Sequence, residues 1–203
     1  MKNKIIQLLQ GTLPGRKAHA QIWSYPRNTV EEGLALEPPP RPSAVLMLLR
    51  QRQELEILYI VRSDFGIHGG QVAFPGGKLE PHETHEECAM RETTEELGIL
   101  PHQYELLGAL SPVFIPPSHM IVYPQIAWVE HEWECQPNHE IADVFWFPIA
   151  QLKSHCIEER EHYLKAFDRV QKIKGIPVRN YFLWGASAMM TQELTLGISL
   201  LNS

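Results

Sequence analysis

Short runs of apolar residues recur along the chain and predict the strands of a β-sheet. Each run is bounded by turn-forming or charged residues and is shorter than a typical globular helix. The polar turn 50–54 connects the first two runs. In chain order, the strands are predicted at 43–49, 56–62, 71–74, 104–110, 121–129, 143–147 and 178–183.

Helical patterns occur at both ends of the chain and once in its middle. Residues 2–10 predict a short amphipathic helix, which Gly11 and Pro14 end. A second helix follows the Gly-rich loop 63–77, and a third begins near Trp184. Strands interleaved with helices indicate a layered α/β or α+β architecture.

Two segments have neither the helical nor the strand pattern. Residues 11–42 are punctuated by Pro and Gly and end in three consecutive prolines, so we expect an ordered arm and not a central strand. The charged stretch 158–174 predicts a solvated excursion before the last strand. We therefore predict a helix and arm at 1–42, packed on a domain formed by 43–203.

Three glutamates crowd one part of the middle helix. Glu92, Glu95 and Glu96 follow Arg91 directly, and at about 100° per residue they share one helix face. Like charges at such spacings repel by roughly 0.2–0.5 kcal/mol per pair, and Arg91 is the one cation among them. A hard divalent cation such as Mg²⁺, which also holds substrate phosphates, explains this concentration of charge. The pattern predicts a metal site on the helix.

Composition indicates which partners and which compartment the protein can have. The chain has 203 residues, is 44% hydrophobic and carries a net charge of −6 with no basic run, which argues against nucleic acid as a partner. Its three scattered cysteines indicate a reducing compartment. The apolar run near the N-terminus is too short for a signal peptide, and no segment approaches the ~18 apolar residues of a membrane span. We therefore expect a cytoplasmic protein without a membrane partner.

The spacing of the glutamates resembles the Nudix box. The pattern reads Gly77, five residues, Glu83, seven residues, Arg91-Glu92, two residues, Glu95-Glu96, one residue, Gly98-Ile99. The resemblance implies a Nudix-like α/β/α sandwich with a mixed β-sheet, here with an N-terminal extension. It also implies a hydrolase of phosphoanhydride bonds that uses Mg²⁺ or Mn²⁺. Thr93 departs from the family pattern, which usually has an aliphatic residue there, and we expect Thr93 to face the core.

A second resemblance extends over the residues before the box. Arg62-Ser63, a short spacer, His68 and the run 70–77 are similar to the signature of the coenzyme A pyrophosphatase branch of the family. The spacer lacks the Arg of that branch and has Ile67 near its place. Weaker similarities occur at Leu13-Pro14-Gly15, Ser118, Asn138 with Glu140, and 184–188. The resemblance implies a small nucleoside diphosphate substrate such as coenzyme A or an acyl-CoA.

The Nudix resemblance assigns a role to each matched residue. Glu92 and Glu96, assisted by Glu95 and the backbone at Gly77, would hold the metal, while Arg91 would orient the glutamates. Glu140 lies beyond the box and is a candidate base or ligand, although an exposed loop Glu is an equal interpretation. Glu83 and Gly98 would support the motif. The candidates for substrate contact are Arg62, Ser63, His68 and Gly76, with Arg62 as the group for the 3′-phosphate of coenzyme A.

Other functions stay open from the sequence. The missing spacer Arg keeps open a Nudix hydrolase of ADP-ribose, NADH or a nucleoside triphosphate. A non-catalytic Nudix-fold ligand sensor is a second alternative, although such proteins typically lose box glutamates and carry a DNA-binding segment. A homodimer is left open. A substrate panel separates the enzyme alternatives.

Overall fold

The structure is a computed structural model that describes residues 1–24, 28–64, 68–131, 133–152 and 156–201. Ile67, at the place of the missing spacer Arg, lies outside the described residues. None of the helices in the described part of the chain is long and apolar enough to cross a membrane.

A mixed sheet of eight strands lies at the centre of the fold. Five strands follow one another in the order β3-β2-β1-β7-β5, while β4 pairs with β1, β6 with β7 and β8 with β2. The β1–β7 pair is parallel and the other pairs are antiparallel. The strands are β1 (Arg41–Gln51), β2 (Leu55–Arg62), β3 (Val72–Ala73), β4 (Gly76–Lys78), β5 (Glu105–Ala109), β6 (Val113–Ile115), β7 (Met120–Val129) and β8 (Ile141–Pro148).

Helices cover both faces of this sheet. The helices are α1 (Lys2–Gln10), α2 (Arg16–His19), α3 (Val30–Leu34), α4 (His85–Leu97) and α5 (Gly185–Leu200). Along β1, Leu46 and Leu48 belong to the core beneath α4, whereas Met47 and Leu49 belong to the core beneath α1 and α5. This alternation follows from the two-residue period of a strand. The predicted α/β/α sandwich with a mixed sheet is confirmed.

The charged stretch after β8 is mostly exposed, as predicted, but it forms a second sheet that the sequence pattern did not predict. Three antiparallel strands lie in the order β11-β10-β9: β9 (Glu158–Leu164), β10 (Arg169–Val178) and β11 (Tyr181–Trp184). Glu161 faces Lys172 and Glu159 faces Lys174 across the β9–β10 pair. Opposite charges that face each other across two strands stabilise the pair. Because these positions are charged, neither strand has the alternating apolar pattern from which a strand is predicted.

The N-terminal region contributes to the same core as the sheet. Ile5 and Leu8 of α1 are buried in the cluster that contains α5 and one face of β1. Strand β1 begins at Arg41, two residues before the predicted boundary at 42/43. The division of the chain into 1–42 and 43–203 stays a prediction.

A buried carboxylate on α5 holds the N-terminal arm. Glu193 is fully buried, and its Oε1 accepts hydrogen bonds from Ser111 Oγ at 2.6 Å, Gly15 N at 3.1 Å and Ser111 N at 3.3 Å. Its Oε2 lies 2.9 Å from His19 Nε2. A buried carboxylate is tolerated only with such partners. Glu193 therefore connects three segments that are distant in sequence.

We predict that Glu193→Ala lowers the free energy of unfolding by about 3 kcal/mol, because it leaves several buried donors without an acceptor. Glu193→Gln keeps one acceptor oxygen and should cost about 1 kcal/mol. Urea unfolding followed by circular dichroism measures both. Glu54→Ala, at an exposed turn, is the control and should stay within about 0.5 kcal/mol of wild type. A loss below about 1 kcal/mol for Glu193→Ala would contradict this role.

Candidate active site

The position of α4 is fixed at both ends. Thr84 caps its N-terminus: the Thr84 hydroxyl accepts from Glu87 N, and the Glu87 side chain accepts from Thr84 N. At the other end Gly98 adopts a left-handed conformation with φ of 70°, which ends helices at little cost for glycine. Thr93 is fully buried, as the sequence predicted, and its hydroxyl donates to Ala89 O at 2.7 Å.

The three box glutamates lie in different environments, although the pattern predicted one shared face. The side chain of Glu95 is 56% exposed, that of Glu92 is 18% exposed and that of Glu96 is 4% exposed. Glu96 is buried because β4 lies over it, and Gly76 N donates to Glu96 Oε2 at 3.0 Å. Packing against β4, the strand that precedes the helix in the chain, therefore distinguishes carboxylates that a helical wheel treats alike.

Two glycines allow the loop to approach α4 closely. Gly76 has φ of +155°, and a Cβ there would lie 2.6 Å from Val45 Cα. At Gly77 the space for a Cβ is filled by the Glu92 carboxylate, whose Oε2 would be 2.6 Å away. Gly76 therefore needs glycine, because a side chain there would meet the backbone of β1, whereas a side chain at Gly77 would displace the Glu92 carboxylate from its present position.

Arg91 is the centre of an ion-pair network. Its Nε and Nη2 donate to Glu83 at 2.8 and 3.1 Å, and its Nη1 donates to Glu92 at 2.9 Å and Glu95 at 3.2 Å. Nη2 also donates to the Lys78 carbonyl at 3.2 Å. The hydrogen bond from Arg91 lowers the pKa of Glu83. One guanidinium thus connects the loop after β4 with two box carboxylates.

A second arginine lies between Glu96 and Glu140. Arg62 Nη1 lies 3.7 Å from Glu96 Oε1, and Nη2 lies 3.7 Å from Glu140 Oε2. Burial raises the pKa of Glu96 to about 7, although the Gly76 N–H and Arg62 oppose the shift. Burial also raises the pKa of Glu92, against the hydrogen bond from Arg91. Glu140 therefore reaches the box from a distant loop, at the end of β2.

Asn138 and Ser63 hold the loop that carries Glu140. Asn138 N donates to Glu96 O at 2.8 Å, its Nδ2 donates to Glu95 O at 3.0 Å, and its Oδ1 accepts from Glu140 N at 2.8 Å. Ser63 N donates to Glu140 O at 2.7 Å, and Ser63 Oγ donates to His139 O at 2.8 Å. The sequence similarity marked Asn138 as a matched position but gave it no role. Its partners are backbone atoms, which a sequence motif cannot identify. The substrate contact expected of Ser63 stays a prediction.

The donor set fits a hard divalent cation. Carboxylate oxygens are the ligands that Mg²⁺ and Mn²⁺ prefer, and Glu92, Glu95, Glu96 and Glu140 supply them around β4. As placed, these carboxylates turn toward Arg91 and Arg62, and no three His, Cys, Asp or Glu side chains of the described residues converge into a ready metal cage. The backbone at Gly77 was the other expected ligand, and its carbonyl oxygen accepts a hydrogen bond from Cys88 Sγ at 3.6 Å.

A cleft of about 400 Å³ opens beside the glycine loop. Four of the predicted site residues line it: Arg62, His68, Gly76 and Gly77. His68 is half-buried beside Gln71, with ring Nδ1 and Gln71 Oε1 3.2 Å apart, and burial lowers its pKa. The remaining wall is mostly apolar and comes from distant segments, including Phe74, Ile115, Val122, Leu164, Phe167, Trp184 and Met190, with Ser118, Lys165 and Ser187 as polar members.

The comparison with protein families identifies the family to which the chain belongs. The model of the NUDIX domain matches residues 39–168. The chain belongs to the Nudix family. Among curated proteins, the peroxisomal coenzyme A diphosphatase NUDT7 of Mus musculus is 36% identical over 170 residues, which cover 78% of this chain and 69% of the mouse protein. The uncharacterized Nudix hydrolase NudL of Salmonella newport (strain SL254) is 31% identical over 168 residues, which cover 78% of this chain and 83% of that protein.

Solved structures also match part of this chain. The crystal structure of a Nudix hydrolase from M. smegmatis, RenU, matches with 25% identity and a TM-score of 0.49, over 55% of this chain and 73% of that one. The family assignment rests on the sequence matches. This Nudix chain is a hydrolase of phosphoanhydride bonds.

The stability of the metal-free Nudix enzyme should depend on the protonation of Glu96. Because burial raises its pKa to about 7, the folded state binds more protons than the unfolded chain above the ordinary Glu pKa of about 4.3. The free energy of unfolding therefore falls as the pH rises through this window. In EDTA, Glu96→Gln should match wild type at about pH 4, below both pKa values, and exceed its stability at about pH 8, as measured by urea unfolding. Glu86→Gln, on the exposed side of the same helix, should show no such divergence. A variant less stable than wild type at pH 8 would contradict the penalty on the buried charge.

Proposed function

We propose that this Nudix hydrolase cleaves the phosphoanhydride of coenzyme A or an acyl-CoA, giving adenosine 3′,5′-bisphosphate and (acyl-)4′-phosphopantetheine. The observation that supports this most is the shared cleft. Arg62, His68, Phe74, Gly76 and Gly77, all from the signature of the coenzyme A branch, line one cavity beside the box carboxylates. The name of the mouse relative, a coenzyme A diphosphatase, supports the same substrate class.

Nudix hydrolases need a divalent metal ion, and Mg²⁺ or Mn²⁺ is our proposal here. Glu92 and Glu96, with Glu95 and the loop backbone at Gly77, would hold it. When bound, such a cation neutralises diphosphate charge and polarises the phosphorus. Displacement of Arg62 and Arg91 from these carboxylates would leave both guanidinium groups beside the diphosphate.

The remaining chemistry falls to the protein side chains. A water oxygen attacks one phosphorus, the bridging P–O bond breaks, and the water proton has to leave. Glu140 is our candidate acceptor through a carboxylate oxygen, because it is half-exposed and lies beside Arg62 at the end of β2. Arg62 would donate to a diphosphate oxygen and stabilise the charge that develops there. His68, whose pKa is lowered by burial, would act as a neutral hydrogen-bonding group.

Partners and compartment follow from the same proposal. The substrate is a small nucleoside diphosphate derivative, and we propose no nucleic-acid or membrane partner. The cytoplasm is our proposed compartment, although the mouse relative is named as peroxisomal. The structure describes one chain, and the homodimer stays a prediction.

We predict that activity requires a divalent cation and Glu96. EDTA should abolish turnover, and Mg²⁺ or Mn²⁺ should restore it. Glu96→Gln should lower kcat by at least ~100-fold, because it removes a charged ligand where phosphate charge is stabilised. Glu86→Gln on the same helix is the matched control and should retain wild-type kcat. An enzyme that works fully in chelator, or a Glu96→Gln variant within threefold of wild type, would rule out this mechanism.

The substrate assignment predicts a ranking. We expect the kcat/KM for coenzyme A or an acyl-CoA to exceed the values for ADP-ribose and NADH, because the signature residues of the coenzyme A branch line the cleft. Steady-state assays with all four substrates under one metal concentration provide the measurement. A tenfold or larger preference for ADP-ribose or NADH would refute the coenzyme A assignment and leave the Nudix chemistry intact.

A further inference from the structure

Coenzyme A carries a third phosphate group, the 3′-phosphate, in addition to the two phosphates of the anhydride. This inference rests on the proposed function. The 3′-phosphate is a monoester that carries between one and two negative charges at neutral pH, and ADP-ribose and NADH lack it. A site that selects coenzyme A therefore needs a cation for this group, at some distance from the carboxylates that serve the anhydride.

Arg62, the cation that the sequence suggested for this phosphate, is engaged elsewhere. Its two terminal nitrogens each lie 3.7 Å from a carboxylate oxygen, one of Glu96 and one of Glu140. This places the guanidinium at the metal and diphosphate end of the cleft. Among the described residues that line the cleft, the remaining Lys or Arg is Lys165.

Lys165 reaches the cleft from the tip of the β9–β10 hairpin. Leu164, at the end of β9, is 4% exposed and lines the cleft together with Lys165 and Phe167. Asp168 turns the chain into β10 with φ of 48° and accepts a hydrogen bond from the Tyr163 hydroxyl. The tip is thus a folded turn with a buried anchor, and both Lys165 and Phe167 line the cleft.

The present partner of Lys165 is weak. Its Nζ pairs with Asp64 Oδ1, and the two side chains are 43% and 82% exposed. Exposed ion pairs contribute about 0–1 kcal/mol, so a phosphate can replace Asp64 at little cost. Phe167, 42% exposed, lies two residues further on. The Arg169 guanidinium lies over one face of its ring, 5.4 Å from the centroid, so a base would stack on the opposite face; stacking of a base on an aromatic ring is sequence-tolerant and favourable.

We propose that the tip of the β9–β10 hairpin binds the 3′-phosphoadenosine part of the substrate, with Lys165 Nζ on the 3′-phosphate and the Phe167 ring against the adenine. The hairpin is then the element that distinguishes coenzyme A from other nucleoside diphosphates. Asp64 holds the ammonium group in place until the substrate arrives. The box carboxylates act on the anhydride independently of this contact.

The test compares coenzyme A with 3′-dephospho-coenzyme A. Lys165→Met should lower kcat/KM for coenzyme A by about tenfold or more, chiefly through KM, which corresponds to one lost charge-assisted hydrogen bond. The value for dephospho-coenzyme A should stay within twofold, and Lys165→Arg should recover most of the loss. Lys172→Met is the control, since Lys172 is exposed on the same hairpin and is not part of the cleft wall.

Product inhibition provides a second readout. The inhibition constant of adenosine 3′,5′-bisphosphate should rise about tenfold in Lys165→Met, whereas that of adenosine 5′-monophosphate should not change. Asp64→Asn should leave KM for coenzyme A equal or lower, because it removes the competing carboxylate.

The outcomes separate the two proposals. A wild-type enzyme that cleaves coenzyme A, with a Lys165→Met variant that loses the same factor on both substrates or on neither, overturns the role of the hairpin alone. A wild-type enzyme that cleaves ADP-ribose but not coenzyme A overturns both the hairpin role and the proposed function.

Discussion

The site depends on the confinement of negative charge on one helix. Glu92, Glu95 and Glu96 occupy neighbouring positions of α4 and would repel one another without compensation. The Arg91 guanidinium donates hydrogen bonds to Glu92 and Glu95 and so reduces their repulsion. The charge of Glu96 is stabilised by the Gly76 N–H and by Arg62, which lies further away. The compensation of Glu96 is partial, as the upward shift of its pKa to about 7 shows. Because the charge of Glu96 is buried and only partly compensated, a bound cation would stabilise this carboxylate more than an exposed one.

The sheet makes this confinement possible. Strand β4 pairs with β1, so that Ala44 is opposite Gly77 and Val45 is opposite Gly76. Ala44, Leu46 and Leu48 of the same strand pack beneath α4. The same strand thus fixes both the loop and the helix, and the loop lies so close to β1 that Gly76 has no room for a side chain. The precision of the site comes from the centre of the fold and not from the loop itself.

The proposed recognition surface begins at this rigid centre, at Val45, Gly76 and Gly77, and extends beyond it. The cleft wall includes the β9–β10 tip, the start of α5 and the segment around β6, none of which belongs to the box. Such a division allows one chemistry to serve several substrates, because segments that do not carry the carboxylates can change without disturbing them. Glu193, buried in α5, fastens the N-terminal arm to the segment before β6 and so supports one side of this arrangement.

The sequence by itself determined the features that are local. The spacing of the box, the helix that carries it, the Gly loop and most of the central strands follow from short-range pattern, because each depends on residues within a few positions of one another. Thr93 was correctly assigned to the core for the same reason. Tertiary structure alone decided the rest. The burial of Glu96 depends on β4, and the approach of Glu140 depends on hydrogen bonds between backbone atoms and the side chains of Asn138 and Ser63. The β9–β10 hairpin depends on charges that pair across strands. None of these contacts leaves a periodic trace in the chain, since the groups that meet are far apart in sequence.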